Sequence, residues 1–196
     1  MPTGWYKSNV SCTDNEDPDN ITLAAGQTVT CTFTNTRQRN KVELVKEWMN
    51  SKAGDKSDLK ISGGITSPTG TAFAPAGATI DTNAYSGETI TVSEKLTAPS
   101  GYYDQELVCT ADGKPVDVAN DGSFTMPNKP VTCTYTNTRT TLLLEKVVEG
   151  KGDAHDWLLT ATGPDGAPKV ENRGDEGVST NVKPGVEYTL DEEFKG

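Results

Sequence analysis

Apolar and polar residues alternate along several short segments of this chain. Val42, Leu44 and Trp48 lie at every second position of one segment, and Ile90, Val92 and Leu96 lie at every second position of another. A period of two is typical of a β-strand with one buried face. The same alternation recurs in four further segments, which are Val131–Asn137, Val29–Asn35, Leu142–Val148 and Tyr188–Phe194. The pattern predicts an all-β chain built of short strands.

The composition fits this prediction. The 196 residues include 28 Thr, 19 Gly and 11 Pro, and Thr favours pleated strands whereas Gly and Pro favour turns. Only 33% of the residues are hydrophobic, which predicts small sandwiches reinforced by covalent bonds.

Sequence motifs recur about 100 residues apart. Gly4-Trp5-Tyr6 is matched by Gly101-Tyr102-Tyr103, and Val29–Arg37 is matched by Val131–Arg139. Leu44–Lys46 and Leu144–Lys146 form a third pair, and Thr91–Glu94 and Thr189–Glu192 form a fourth. Matches in one order at nearly one spacing indicate an internal repeat.

The repeat predicts one complete unit and two partial ones. Residues 38–139 are the complete repeat, residues 1–37 are the back part of a preceding repeat, and residues 140–196 are the front part of a following one. The chain could be an internal piece of a longer array, and the lack of a signal peptide at its start fits that reading. It could instead be a split or permuted repeat whose two ends are meant to pair.

Three polar residues of the central repeat share the phase of the apolar positions. They are Lys46, Glu94 and Asn137, and their counterparts in the two partial repeats are Lys146, Glu192 and Asn35. Side chains of a strand alternate between its faces, so each should point into a core. One explanation is a buried Lys–Glu pair hydrogen-bonded to an amide, or a Lys whose tip reaches water at an edge.

The other explanation is a self-made Lys–Asn isopeptide bond. Burial favours the neutral amine and the protonated carboxylic acid. The neutral amine can then attack the carboxamide while the acid polarises it and transfers the proton, and ammonia leaves. Glu94 and Glu192 would be the catalytic acids, and Lys46–Asn137 and Lys146–Asn35 would be the bonded pairs.

The central repeat resembles the CnaB/SpaA-like domains of Gram-positive surface adhesins and pilins. The resemblance rests on Val42-x-Leu44-x-Lys46, on the run from Tyr85 through Glu94 and Ala98-Pro99-Ser100 to Tyr102, and on Tyr135-Thr136-Asn137. It implies a prealbumin-like, reverse-immunoglobulin β-sandwich in tandem copies and assigns the cross-link to Lys46, Glu94 and Asn137. In such a sandwich the first and last strands are parallel neighbours, so successive repeats form a rod. The end pieces could then meet only between molecules, with Lys146 of one copy joining Asn35 of the next.

The four cysteines fall at equivalent positions of the two repeats. We predict structural disulfides Cys12–Cys31 and Cys109–Cys133, which suit an oxidising, extracellular location. The single histidine, His155, and the lack of C-x-x-C predict that no metal site is present, and the acidic run 14–20 is read as a solvated turn. No cofactor is expected.

Charge and hydropathy exclude several classes of function. The net charge of −10 argues against binding to nucleic acid, and no segment is apolar enough to insert into a membrane. We therefore expect a non-enzymatic stalk domain of a cell-wall-anchored adhesin or pilin whose partners are neighbouring repeats, and possible head-to-tail copies. One alternative is an engineered split domain that polymerises. The other is an adhesin module for an unknown host ligand, for which exposed aromatics such as Phe73 and Tyr85 would be the sign.

Overall fold

The computed structural model of the chain describes residues 2, 4–97 and 101–196. Ala98-Pro99-Ser100, which carries part of the family resemblance, lies outside the described residues, as do Met1 and Thr3. Sixteen strands are assigned within the described part: β1 Trp5–Cys12, β2 Cys31–Arg37, β3 Arg39–Met49, β4 Lys56–Ser62, β5 Thr69–Phe73, β6 Ala78–Tyr85, β7 Thr89–Leu96, β8 Tyr103–Ala111, β9 Lys114–Pro115, β10 Ser123–Thr125, β11 Val131–Arg139, β12 Thr141–Leu142, β13 Trp157–Thr162, β14 Val170–Arg173, β15 Thr180–Asn181 and β16 Thr189–Phe194. Two short 3-10 turns, Thr13–Asn15 and Ala154–Asp156, complete the assignment. The predicted all-β fold is confirmed.

Strands β3 to β11 form a two-sheet sandwich. One sheet has the order β10-β7-β4-β5, and the other has the order β6-β3-β11-β8-β9. The first and last strands, β3 and β11, are parallel neighbours with Cys133 opposite Leu44 and Asn137 opposite Trp48. This parallel pairing, which the family resemblance implies, is confirmed. Since the two strands run the same way, the chain enters the sandwich at one end and leaves it at the other.

The core between the sheets is built from the alternating positions of these strands. Their inward side chains are almost fully buried, and the largest are Leu44, Leu59, Ile61 and Ile90; Met126, directly after β10, is buried with them. Burying a Leu or Ile side chain contributes about 1.5 to 3 kcal/mol. The core therefore fixes which face of each strand points inward, because a shift of one residue would turn every apolar side chain to solvent.

The remaining strands form two smaller pieces at opposite ends of this sandwich. The hairpin piece, residues 4–37, is the antiparallel pair β1–β2, and the Gln38 amide beside it donates to Gly4 O at 2.6 Å. The front piece, residues 140–196, contains β12–β16 around a small core that includes Leu144, Leu159 and Val170. Its Asn181 Nδ2 donates to Tyr102 O at 3.2 Å, next to the end of the sandwich where β11 finishes.

Parts of the flanking pieces differ from the prediction. Alternation predicts a strand over Leu142–Val148, but the strand β12 ends at Leu142. In the central sandwich, β3 is hydrogen-bonded on both sides, to β6 and to β11. Among the strands of the described residues, the corresponding strand of the front piece pairs only with the two-residue strand β15. A segment with few neighbouring strand residues to pair with lacks the backbone hydrogen bonds that hold it extended, and this explains why β12 is short.

In the part of the chain that the structure describes, no helix has both the length and the apolar character to cross a membrane.

Candidate functional site

The three inward polar residues of the central repeat come from three strands. Lys46 lies on β3 and Asn137 on the adjacent strand β11, and Glu94 lies on β7 of the facing sheet. Tyr135 is the direct partner of Lys46 across the parallel ladder, so Asn137 is two residues further along the same face. The sandwich thus brings two neighbouring strands and the opposite sheet to one point in the interior.

The three side chains converge on one oxygen atom. Glu94 Oε1 accepts a hydrogen bond from Asn137 Nδ2 at 2.6 Å and lies 3.4 Å from Lys46 Nζ. The Lys46 and Glu94 side chains are 0% and 1% exposed, and Asn137 is fully buried. The inward orientation that alternation predicts is confirmed by this burial, and the pair is not an edge pair with a Lys tip in water.

Burial determines the electrostatics of Lys46. Loss of hydration lowers the pKa of its ammonium group from 10.5 to about 8, and the nearby Glu94 carboxylate opposes this effect. Its Nζ donates to two backbone carbonyls, Glu47 O at 2.8 Å and Tyr135 O at 3.3 Å. It also lies 4.3 Å from the centre of the Trp48 ring. These contacts fix the position of the amine, and the lowered pKa brings its neutral, nucleophilic form within reach near neutral pH.

Two acceptor atoms of the cluster have no hydrogen-bond donor among the described residues. They are Glu94 Oε2 and Asn137 Oδ1, and both are buried. An unpaired buried acceptor costs about 1 to 3 kcal/mol, so the unreacted arrangement is not a fully satisfied polar network. It is suited to proton transfer: Glu94 Oε2 can carry a proton, and Glu94 Oε1 already contacts the nitrogen that would leave as ammonia.

The corresponding residues of the partial repeats are only partly brought together. Lys146 Nζ donates to Glu192 Oε2 at 2.7 Å, with the two side chains 20% and 48% exposed. Lys146 Nζ lies 4.2 Å from the centre of the Trp157 ring. Asn35 is exposed on β2 of the hairpin piece, in a different sheet. For Glu192 and Asn35, the prediction of burial in a core is therefore wrong within a single chain, because the other half of each sandwich does not cover them.

Both predicted cysteine pairs are joined in the structure. Cys12–Cys31 links β1 to β2, and Cys109–Cys133 links β8 to β11. In each case the two cysteines are directly opposite each other across an antiparallel ladder. The Cys109–Cys133 bond lies in the core, on the same strand as Asn137, and it ties that strand to β8.

The other residues singled out from the sequence lie on the surface. The acidic run 14–20 is mostly exposed, and His155 Nδ1 lies 3.0 Å from Asp175 Oδ1 at the surface. The described residues contain no group of three or more possible metal ligands. Phe73 is exposed, whereas Tyr85 is half-buried under the Arg37 guanidinium. These two aromatic residues do not form one exposed patch.

Sequence reasoning missed several groups that shape the site. The backbone carbonyls that hold Lys46 and the ring of Trp48 are examples. Another is Gly77, whose positive φ and lack of a side chain let its turn approach Lys46 O, where a Cβ atom would come within 2.2 Å. Asp55 is also buried and accepts a short hydrogen bond from the Tyr103 hydroxyl. Burial, followed by this hydrogen bond, raises the pKa of Tyr103 to about 12. Of these groups, Trp48 alone is indicated by the pattern of the sequence, because it lies in the inward phase of its strand.

Solved structures that match parts of this chain come from several bacteria. A bacterial adhesin from Mobiluncus mulieris containing intramolecular disulfide, isopeptide and ester bond cross-links is 14% identical, with a TM-score of 0.42 over 54% of this chain and 43% of its own. The major pilin protein T3.2 from Streptococcus pyogenes is 15% identical, with a TM-score of 0.40 over 59% of this chain and 51% of its own. The Bacillus anthracis TIE protein is 15% identical, with a TM-score of 0.31 over 86% of this chain and 33% of its own. This chain thus spans about half or less of each of them.

No curated protein matches this sequence. A family model does match it: the model described as a prealbumin-like fold domain covers residues 2–37 and 49–139. These ranges make up more than half of the chain and include β1, β2 and most of the central sandwich. The chain therefore belongs to the family of prealbumin-like fold domains.

Proposed function

We propose that this chain is a shaft segment of a Gram-positive cell-surface adhesin or pilin whose central sandwich closes a Lys46–Asn137 isopeptide bond. The observation that carries the proposal is the convergence of Lys46 Nζ and Asn137 Nδ2 on Glu94 Oε1 in an interior without water access. Residues 38–139 would be the complete repeat, and residues 1–37 and 140–196 would be parts of similar repeats.

The reaction proposed for the site is an exchange of one amide for another. Lys46 gives its proton to Glu94, and the neutral Nζ attacks the Asn137 side-chain carbon, Cγ. A tetrahedral intermediate forms, its oxygen being the atom that was Asn137 Oδ1. Glu94 then protonates Nδ2, the Cγ–Nδ2 bond breaks, and ammonia leaves. The second Nζ proton passes to Glu94. Because the reaction consumes both Lys46 and Asn137, each chain reacts once and the domain is not an enzyme with turnover.

The position of the bond suits a load-bearing role. Lys46 and Asn137 lie on β3 and β11, the first and last strands of the sandwich, and these strands are adjacent and parallel. A pull on the two ends of the chain would reach the isopeptide bond before it reached the strands between them. The 90 residues between Lys46 and Asn137 would be shielded from the force, and the two disulfides support an extracellular, oxidising location.

Intact mass under denaturing and reducing conditions tests the bond. The wild-type chain should weigh one ammonia less than its sequence predicts, and Lys46→Ala should have its full sequence mass. Lys41→Ala is the matched control, because Lys41 lies on the same strand with its amine at the surface, and it should keep the deficit. A wild-type chain of full sequence mass would refute the isopeptide.

Single-molecule pulling tests the mechanical role. With the disulfides reduced, Lys46→Ala should release the 90 intervening residues as an extension on the order of 300 Å, from roughly 3.4 Å per residue. The wild-type chain should lack this step. If both chains extend equally, the bond does not carry the load.

A further inference from the structure

Both flanking pieces expose apolar side chains at positions that are covered in the central sandwich. Leu190 on β16 is 63% exposed, whereas Val92, at the equivalent position of the repeat, is 0% exposed. Phe33 on β2 is 67% exposed, whereas its equivalent Tyr135 packs against the central core. Phe194, which follows Leu190 on the same face of β16, is also exposed. Large apolar side chains that are exposed where the complete repeat covers them indicate a surface for protein association.

The two pieces have the strand registers of the two halves of the central sandwich. In the hairpin piece Cys31 is opposite Cys12 and Phe33 is opposite Val10. In the central sandwich, Cys133 is opposite Cys109 and Tyr135 is opposite Leu107. From Cys31 to Thr34 the hairpin therefore copies the register of the pair β8–β11. A β-bulge between Lys7 and Asn9 then places Asn35 opposite Lys7, whereas Asn137 is opposite Gln105; the bulge lies in β1, so Asn35 keeps its phase with Cys31 and Phe33 on β2.

The front piece reproduces the other half in the same way. Glu192 is opposite Leu159, as Glu94 is opposite Leu59. Thr141 is opposite Asn181, as Lys41 is opposite Asn83. The front piece thus contains counterparts of β3, β4, β6 and β7, and the pair equivalent to β8–β11 belongs to the hairpin piece.

We propose that the hairpin piece of one copy of this chain docks onto the front piece of a second copy and completes a sandwich between them. Strand β2 would lie parallel to residues 141–149, on the side where β11 pairs with β3 in the central repeat. This would give residues 141–149 the ladder of backbone hydrogen bonds that β11 gives to β3, and it would bring Phe33 over Leu190. The Cys12–Cys31 bond holds the hairpin in its docked register beforehand, which lowers the entropy cost of association.

The position of the two pieces makes the contact intermolecular and open-ended. The hairpin piece contacts the central sandwich at the beginning of β3, where Arg37 Nη2 donates to Ser86 O at 2.6 Å. The front piece contacts it at the end of β11, through Asn181 and Tyr102. The whole length of the sandwich separates them. A contact between two different surfaces that does not close on itself leads to a chain of copies.

Docking would also complete a second cross-linking site, an extension that rests on the proposed function. It would place Asn35 beside Lys146 and Glu192, as Asn137 lies beside Lys46 and Glu94. Lys146 Nζ would then attack Asn35 Cγ, Glu192 would transfer the amine proton to Nδ2, and the Cγ–Nδ2 bond would break with loss of ammonia. The product is an isopeptide bond between two copies.

Two surface variants test the docking. Phe33→Asp blocks the hairpin face and Leu190→Asp blocks the front face, and both side chains are exposed in the single chain, so neither substitution disturbs its fold. By light scattering after size exclusion, each variant alone should be a monomer. An equimolar mixture should form a discrete dimer, since the intact front piece of the Phe33→Asp chain accepts the intact hairpin of the other. The control Phe73→Asp, at an exposed aromatic outside both faces, should assemble as the wild type does.

The outcomes separate docking from covalent closure. A mixture that stays monomeric, or a Phe33→Asp chain that assembles by itself, would overturn the docking. A dimer band on a reducing, denaturing gel that disappears when the Phe33→Asp chain also carries Lys146→Ala supports the closure. A dimer that forms in solution but never gives this band overturns the closure and supports docking alone. The ammonia deficit of the central repeat, measured in the same samples, reports separately on the proposed function.

Discussion

Lys46 Nζ lies 3.4 Å from Glu94 Oε1, and neither side chain reaches solvent. Moving a charged pair out of water costs several kcal/mol per ion, and the attraction between the partners recovers that cost only when all their polar atoms are satisfied. Glu94 Oε2 has no donor among the described residues. Converting the ammonium of Lys46 to a neutral amide, with its second proton left on Glu94, would remove both charges. Under our proposal the unreacted pair is therefore a precursor of higher free energy than the cross-linked product.

Replacing the acid should stop the reaction and leave the fold intact. Glu94→Gln keeps the shape of the side chain and an acceptor for Asn137 Nδ2, but it cannot carry the proton. Acid–base catalysis by a positioned side chain contributes about 10²- to 10⁴-fold, so closure should slow by at least about 100-fold when chains recovered unfolded, before closure, are first folded. The rate is measured from the loss of ammonia in intact mass.

The matched control for this variant is Glu47→Gln. Glu47 is on the same strand as Lys46, and its side chain is exposed. Its backbone carbonyl accepts from Lys46, and its carboxylate has the smallest of the effects that raise the Lys46 pKa, so closure should proceed close to the wild-type rate. Equal rates for the two variants would show that Glu94 has no catalytic role.

The closure rate should have a distinctive pH dependence. The reactive state, a neutral Lys46 with a protonated Glu94, holds the same number of protons as the ion pair. Its population is therefore constant until the pair loses that proton, which the lowered Lys46 pKa places at about pH 8. Chain recovered unfolded before closure, then refolded at a series of values from about pH 7 to about pH 9, should close at a flat rate below pH 8 and at a falling rate above it. A rate that rises through pH 8 would mean that amine deprotonation alone limits the reaction.

The period-two pattern was sufficient to predict the inward face of the central strands and, with it, the burial of Lys46 and Asn137. It could not predict the carbonyl contacts of Lys46, because backbone carbonyls carry no sequence signal. It also failed for Glu192 and Asn35. Alternation states which face of a strand is apolar, whereas burial depends on whether another sheet covers that face. For those two residues, no second sheet of the same chain does so.

The two disulfides should differ in what they stabilise. Cys109–Cys133 closes a loop of 24 residues inside the central core, and its loss should lower the free energy of unfolding of that sandwich by about 3 kcal/mol. Cys12–Cys31 lies in the separate hairpin piece, so its loss should leave the central transition unchanged. Denaturant unfolding of the two double Ser variants, Cys109→Ser/Cys133→Ser and Cys12→Ser/Cys31→Ser, measures both effects. Equal destabilisation by the two would show that the hairpin piece and the sandwich unfold as one unit.

Two leucines of the front piece allow a direct test of which of its faces is open. Leu159 and Leu190 lie on the adjacent strands β13 and β16, but Leu159 is buried and Leu190 is largely exposed. In a Phe33→Asp background, where docking is blocked, Leu159→Ala should lower the free energy of unfolding of the front piece by about 2 to 5 kcal/mol. Leu190→Ala should change it by no more than about 0.5 kcal/mol. Trp157, which packs against Phe194, provides the fluorescence signal for this transition.

The same Leu190→Ala substitution has a second effect in the wild-type background. There the hairpin of another copy can cover Leu190, so the substitution should weaken assembly even though it leaves the monomer unchanged. Sedimentation of both backgrounds over a range of concentrations separates the two effects. If Leu190→Ala destabilises the isolated monomer as much as Leu159→Ala does, the face is already covered within one chain, and a second copy has no surface there to bind.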